Sequence, residues 1–203
     1  MSNIKILLFD AAGVLFEANK VVGEDIEATF GLTEEQQAPM WKGVYKELSA
    51  GRLSPEQFFD ETSKILSIDR ALVNEDLFTR SFIKALKPIE GMAELLDELS
   101  KNNQYILALL SDTTPIHNVI RSKEGYYKYF KKAFLSFEIG FCKPDPRAFQ
   151  TVIDYFNVLP EEIFFVDDNI NNVEGARRLG LKAEQFTSVE NLKKQLIDLG
   201  IIL

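Results

Sequence analysis

The chain has 203 residues, with 23 Lys and Arg against 31 Asp and Glu, a formal charge of −8. Apolar residues make up 46% and charged ones 27%, a balance that buries a core and excludes intrinsic disorder. The acidic excess excludes a nucleic-acid binder, and the lone Cys142 and His117 exclude an internal disulfide, Cys-based zinc and multi-His metal sites.

The N-terminal run from Ile4 to Phe9 is apolar except for Lys5 and meets Asp10. It reads as a short buried parallel strand, too short and too soon charged for a secretory signal. No apolar run approaches the ~18–20 residues that span a bilayer, so the expectation is a cytoplasmic protein with no membrane partner. From about Asn19 to Leu86 apolar residues recur at helical spacing: Ile26 and Phe30, then Trp41, Val44, Tyr45 and Leu48, then Phe58, Phe59, Ile65 and Leu66. Gly31, Gly51 and Ser54-Pro55 break the pattern. Ser54 reads as an N-cap, Pro55 as the first helical residue and Gln57 as the other half of a capping box. Residues 17–86 therefore read as a helical insertion, and 1–16 with 87–203 as one core domain.

After Lys87-Pro88, strands and helices alternate. Predicted helices run over Met92 to Leu99, Ile116 to Ile120, Phe149 to Phe156, Val173 to Leu179 and Val189 to Leu199. Predicted strands run over Tyr105 to Leu110, Ala133 to Phe137, Ile163 to Val166 and Ala183 to Phe186. This alternation implies an α/β fold, a Rossmann-like three-layer parallel sheet with the helical insertion after its first strand. Asp10, Ser111 and Asp167-Asp168 each follow directly on a predicted strand. In an open parallel sheet those carboxyl ends face one crevice, so the pattern alone marks a candidate site there, with Lys143 in a nearby loop.

The segments Phe9-Asp10-Ala11-Ala12-Gly13-Val14-Leu15, Leu110-Ser111-Asp112-Thr113, Cys142-Lys143-Pro144-Asp145-Pro146 and Phe165-Val166-Asp167-Asp168-Asn169 resemble, in order, the four motifs of the haloacid-dehalogenase-like hydrolase superfamily. The run from Val166 to Gly180 is the most specific piece. The insertion resembles the small helical cap of the family's first cap class. Gly51 to Phe58 is similar to the cap of the branch holding sugar-1-phosphate phosphatases and the N-terminal domain of soluble epoxide hydrolase.

The resemblance implies Mg²⁺-dependent hydrolysis of a small phosphorylated metabolite, sugar phosphates foremost, through an aspartyl-phosphate. Asp10 is the implied nucleophile. The implied Mg²⁺ ligands are Asp10, the backbone carbonyl of Ala12 and Asp167, with Asp168 ligating or bonding in support. Lys143 is implied to hold the nucleophile and a phosphoryl oxygen, and Ser111 to donate to the phosphoryl group. Asp112 and His117 are further candidates for substrate contact. Asn172 and Glu174 are candidates for orienting the metal loop, Trp41 and Tyr45 for core or pocket, Thr113 and Thr114 for caps.

Two positions depart from the pattern. Most phosphatases of the superfamily carry a second Asp, the general acid/base, where Ala12 stands, and loss of that function costs about 10²–10⁴-fold. Asp112 stands where the branch has Asn, adding a carboxylate beside the phosphate site. Ala12 leaves two alternatives open: a phosphate-ligand-binding relative with weak or no turnover, and a metal-free 2-haloacid dehalogenase using the same nucleophile on carbon. The Asp167-Asp168 pair speaks against the second, because paired carboxylates repel without a cation.

Overall fold

A computed structural model describes residues 3–18 and 20–201. Asn19, near which the insertion was placed to begin, lies outside the described residues. The elements follow in chain order: β1 (Ile6–Phe9), α1 (Val21–Phe30), α2 (Glu34–Lys42), α3 (Val44–Ser49), α4 (Pro55–Leu66), α5 (Glu75–Ala85) and α6 (Met92–Lys101). Then come β2 (Ile106–Ser111), α7 (Pro115–Arg121), β3 (Lys132–Leu135), α8 (Ser136–Ile139) and α9 (Pro146–Phe156). The chain ends with β4 (Ile163–Asp167), α10 (Ile170–Arg178), β5 (Lys182–Gln185) and α11 (Val189–Asp198).

The five strands form one parallel sheet in the order β3-β2-β1-β4-β5. Successive side chains of a strand point to opposite faces, and here both faces are covered. Leu7, Phe9, Leu107, Leu109, Phe164 and Val166 pack on one side with Leu95 and Leu99 of α6 and Leu192 and Leu196 of α11. Ile6, Leu8, Ala108, Leu110, Ile163 and Phe165 pack on the other with Phe149 and Val152 of α9 and Val173 and Ala176 of α10. This double burial is why the strands read as continuous apolar runs.

Residues 21–85 form helices and turns, with no strand among them. The Ser54 hydroxyl accepts from the Gln57 N–H at 3.2 Å and the Gln57 side chain accepts from the Ser54 N–H at 2.9 Å, closing the expected capping box. Phe58, Phe59 and Phe78 centre a third core, with Phe58 and Phe78 ring centroids 5.1 Å apart. Ile116 of α7 joins that core, so a helix of the sheet layer is packed into the insertion.

Three expectations change in detail. The helical spacing of Trp41, Val44, Tyr45 and Leu48 implies one helix, but Trp41 sits on α2 and Tyr45 on α3, because the chain breaks at Gly43, whose N–H bonds the Pro39 carbonyl at 3.0 Å. The third strand ends at Leu135, and Ser136 to Ile139 turn helical, closed by Gly140 in the left-handed region at φ +82°. The helix expected over Ile116 to Ile120 is longer at both ends, which puts Arg121 in its last turn.

Candidate active site

The ends of β1, β2 and β4 bring Asp10, Ser111 and Asp167 to one edge of the sheet, where Lys143 joins them. Asp10 is held by its own N–H on the Val166 carbonyl at 3.0 Å. Lys143 Nζ lies 2.7 Å from Asp10 Oδ1 and 2.7 Å from Asp167 Oδ2. All three residues are buried. Burial raises the Asp10 carboxyl to about 7, against the opposing pull of Lys143 and with added push from Asp167. Burial alone lowers Lys143, but Asp10, Asp167 and Asp112 outweigh it, so the ammonium is raised and stays charged.

Asp167 is fixed by its neighbours. Its Oδ1 accepts from the Asn169 N–H at 2.8 Å, and Asn172 Nδ2 donates to both oxygens, at 3.1 and 3.0 Å. Of the two residues expected to orient this loop, Asn172 bonds Asp167 directly, whereas Glu174 turns outward to Arg177 at 2.8 Å. Neither Asp167 nor Asp168 caps α10: that is Asn169, whose Oδ1 accepts from the Asn171 N–H at 3.0 Å. Burial and Asp167 push the half-buried Asp168 carboxyl up.

Carboxylate oxygens of Asp10, Asp167 and Asp168 all lie within 4.8 Å of one another. An all-oxygen donor set this tight suits a hard divalent cation such as Mg²⁺. Three carboxylates against one buried ammonium leave a negative excess that such a cation offsets. Gly13 makes room for the cluster. It sits at φ +78°, and a Cβ there would run into the Asp168 carboxyl. The turn is tied by Leu15 N–H to Ala11 O at 2.8 Å and Gly13 N–H to Phe16 O at 2.6 Å, with Ala12 between.

Ser111 is buried, and its Oγ accepts from Arg121 Nη1 at 3.3 Å. Asp112 lies next to it, yet its carboxylate is engaged elsewhere: Oδ1 accepts the Lys143 backbone N–H at 3.0 Å. It is neither a helix cap nor a free anion beside Ser111. Thr114 caps α7 by accepting from the His117 N–H at 3.2 Å. His117 Nδ1 lies 3.2 Å from the Tyr45 hydroxyl, and burial, with the charge of Arg121, holds the imidazole well below its ordinary range. Burial also pushes up the Cys142 thiol, against any thiolate chemistry.

A cavity of about 190 Å³ runs from Ala12 to His117 and Arg121. A second, of about 410 Å³, lies beyond His117 and is lined by Trp41 and Tyr45. No motif marks Arg121. Its one available signal is the i, i+4 spacing from His117, which puts both on one face of α7.

An open parallel sheet with an aspartate, a lysine and an acidic pair gathered at its carboxyl edge has the layout of an α/β hydrolase. The family model for haloacid dehalogenase-like hydrolases matches residues 4–180, and the chain belongs to that family. It is 29% identical over 203 residues to the chloroplast flavin mononucleotide hydrolase 1 of Arabidopsis thaliana, covering 98% of this chain and 78% of the relative. It is 26% identical over 203 residues to the D-ribitol-5-phosphate phosphatase of Bacteroides thetaiotaomicron, covering 95% and 97%. The crystal structure of a haloacid-dehalogenase family enzyme from the same organism superposes with a TM-score of 0.81 at 26% identity, covering 95% and 98%. That enzyme has also been crystallised with magnesium and inorganic phosphate, both as wild type and as an aspartate-to-alanine variant. No helix of the described residues is long and apolar enough to cross a membrane.

Proposed function

We propose that this hydrolase cleaves the phosphate monoester of a small metabolite, with Asp10 as nucleophile. The observation that carries the reading is the buried contact of Lys143 with Asp10 and Asp167, with Asp168 close by. Asp10, Asp167, Asp168 and the Ala12 carbonyl would hold Mg²⁺. When bound, that ion supplies positive charge that lets two anions approach.

The rest of the work falls to the chain's own groups. Lys143 holds Asp10 in place and its ammonium at 2.7 Å opposes the larger pull of burial toward the neutral acid, a pull that a bound cation would oppose further. Asp10 attacks phosphorus and forms an acyl-phosphate, which water then cleaves. Ser111 already accepts from Arg121, so its own hydrogen is left for a phosphoryl oxygen. Asn172 and the Asn169 N–H hold Asp167 at the edge of the site. His117 faces the same cavity as Ala12 and contacts the substrate beyond the phosphoryl group. The helices of residues 17–86 act as a cap that covers the substrate and excludes water from the first step.

The test is phosphate release from a panel of small phosphate esters, sugar phosphates included, with Mg²⁺ and with a chelator. Metal-dependent release that Asp10→Asn abolishes is expected. The alanine at position 12 favours a second reading, a phosphate-ligand binder without turnover. In that case the wild type binds but releases nothing, and Ala12→Asp gains hydrolysis.

A further inference from the structure

The cavity beside Ala12 is walled by Phe16, Phe82 and Leu86, with His117 and Arg121 from α7. A polyol here would set hydroxyls against methyl groups and ring faces, where they lose water without gaining partners. A flat or apolar body fits this wall.

The same wall offers no proton to a departing oxygen. Ala12 and the apolar side chains have none. The Arg121 guanidinium is a cation and a hydrogen-bond donor, not a general acid. His117 is partly buried beside that cation with Nδ1 3.2 Å from the Tyr45 hydroxyl, and burial with the Arg121 charge favours its neutral ring, which can donate a hydrogen bond but is no general acid. Glu17 stands at the exposed rim. Arg121 does bring charge: it lines this cavity and gives one of its five N–H donors to Ser111 Oγ at 3.3 Å.

We infer that the substrate is an aryl or enol phosphate, an ester whose leaving oxygen departs as a stable anion, and that Arg121 is the cation that receives this oxygen. The inference rests on the phosphatase reading and narrows its substrate. In the first step a bond forms from Asp10 Oδ to phosphorus while the bond from phosphorus to the leaving oxygen breaks. The electron pair stays on that oxygen, and no proton moves. Water then adds its oxygen to phosphorus and frees the Asp10 carboxylate. The leaving anion takes its proton from solvent.

The test is kcat/KM with Mg²⁺ for p-nitrophenyl phosphate, phenyl phosphate, phosphoenolpyruvate and glycerol 3-phosphate. A fall of about 10²–10⁴-fold from the nitrophenyl to the glycerol ester is expected, the cost of an absent general acid. Ala12→Asp is expected to recover the glycerol ester selectively. Arg121→Met should lose most with the poorest leaving groups, and Arg121→Lys should regain part. Glu17→Gln should leave the slope unchanged. Glycerol ester cleaved within about tenfold of the aryl esters overturns the inference, since a missing acid costs more than that. So does an equal loss for all esters in folded Arg121→Met, or a steeper slope in Glu17→Gln. If folded wild type releases phosphate from none of the esters, nitrophenyl included, it is the phosphatase reading itself that fails.

Discussion

The Asp112 carboxylate accepts the backbone N–H of Lys143 at 3.0 Å, tying the end of β2 to the loop that carries the site's buried cation. From sequence, Asp112 is an extra anion beside the phosphate site. In the fold it is a staple that sets where Lys143 starts. The two views give opposite expectations for variants. As a staple, Asp112→Asn keeps an acceptor oxygen and keeps most of the activity. Asp112→Ala leaves a peptide N–H unpaired and costs about 1–3 kcal/mol, with kcat falling as Lys143 loses its registration. Chemical denaturation and steady-state kinetics of both variants check this. A large loss in Asp112→Asn alone would mean the charge, not the hydrogen bond, matters.

The Asp10 carboxyl is raised to about 7 in the folded chain from an ordinary 3.8. Between those values the folded state binds the proton more tightly than the unfolded one. Without metal, stability from this group therefore falls as pH rises from about 4 to about 7, by an amount on the order of a few kcal/mol. Burial pushes Asp112 and Asp168 in the same direction. A bound cation reverses the penalty by favouring the ionised form. Thermal melts in chelator should then show Asp10→Asn more stable than wild type at pH 8 and little different at pH 4.5. Added Mg²⁺ should raise the wild-type Tm more at pH 8 than at pH 5, and the variant's Tm far less. Equal Mg²⁺ shifts at both pH values would remove Asp10 from the metal site.

Gly175 lets α10 approach the Lys143-Pro144 loop: an added Cβ would lie 2.8 Å from Pro144 Cβ and 3.1 Å from its carbonyl oxygen. The helix carries Asn172, which holds Asp167 at the end of β4, and the loop carries Lys143, the ion-pair partner of Asp167. Gly175→Ala should push them apart, destabilise by about 1–3 kcal/mol and lower kcat more than KM. A crystal structure of the variant would show the Lys143 to Asp167 distance lengthened beyond 2.7 Å. An unchanged distance with lower stability would confine the effect to packing.

Much of this arrangement is visible in the chain itself. Buried parallel strands are unbroken apolar runs, so the polar residue that ends each run marks the same sheet edge. That logic reaches Asp10, Ser111 and Asp167 directly. It does not reach Arg121, which is placed by how α7 packs against the insertion through Ile116. Nor does it reach the partner of Asp112, because a bond across 31 residues leaves no local pattern. The break between Trp41 and Tyr45 fails for another reason: apolar spacing runs through Gly43 as though the helix continued, and only the backbone turn there separates them.

His117 supplies the last prediction. Its imidazole is held well below the ordinary 6.5 by burial and by Arg121, with Nδ1 against the Tyr45 hydroxyl. The folded chain then resists a proton that the unfolded chain accepts. Stability from this group is present above about 6.5 and is lost as pH falls below it. The sign is opposite to that of Asp10, so the two are separable by variants. His117→Gln should flatten the acid side of the stability curve between about pH 6.5 and 5, and Asp10→Asn should not. Protonated His117 would also set a second cation beside Arg121 and break the Tyr45 contact if that hydroxyl donates. NMR of the single imidazole reads this without interference, because the chain has one histidine. Its ring signals should stay in the neutral form as pH falls past the ordinary 6.5, and titration near 6.5 would place the side chain in water rather than at the cavity wall.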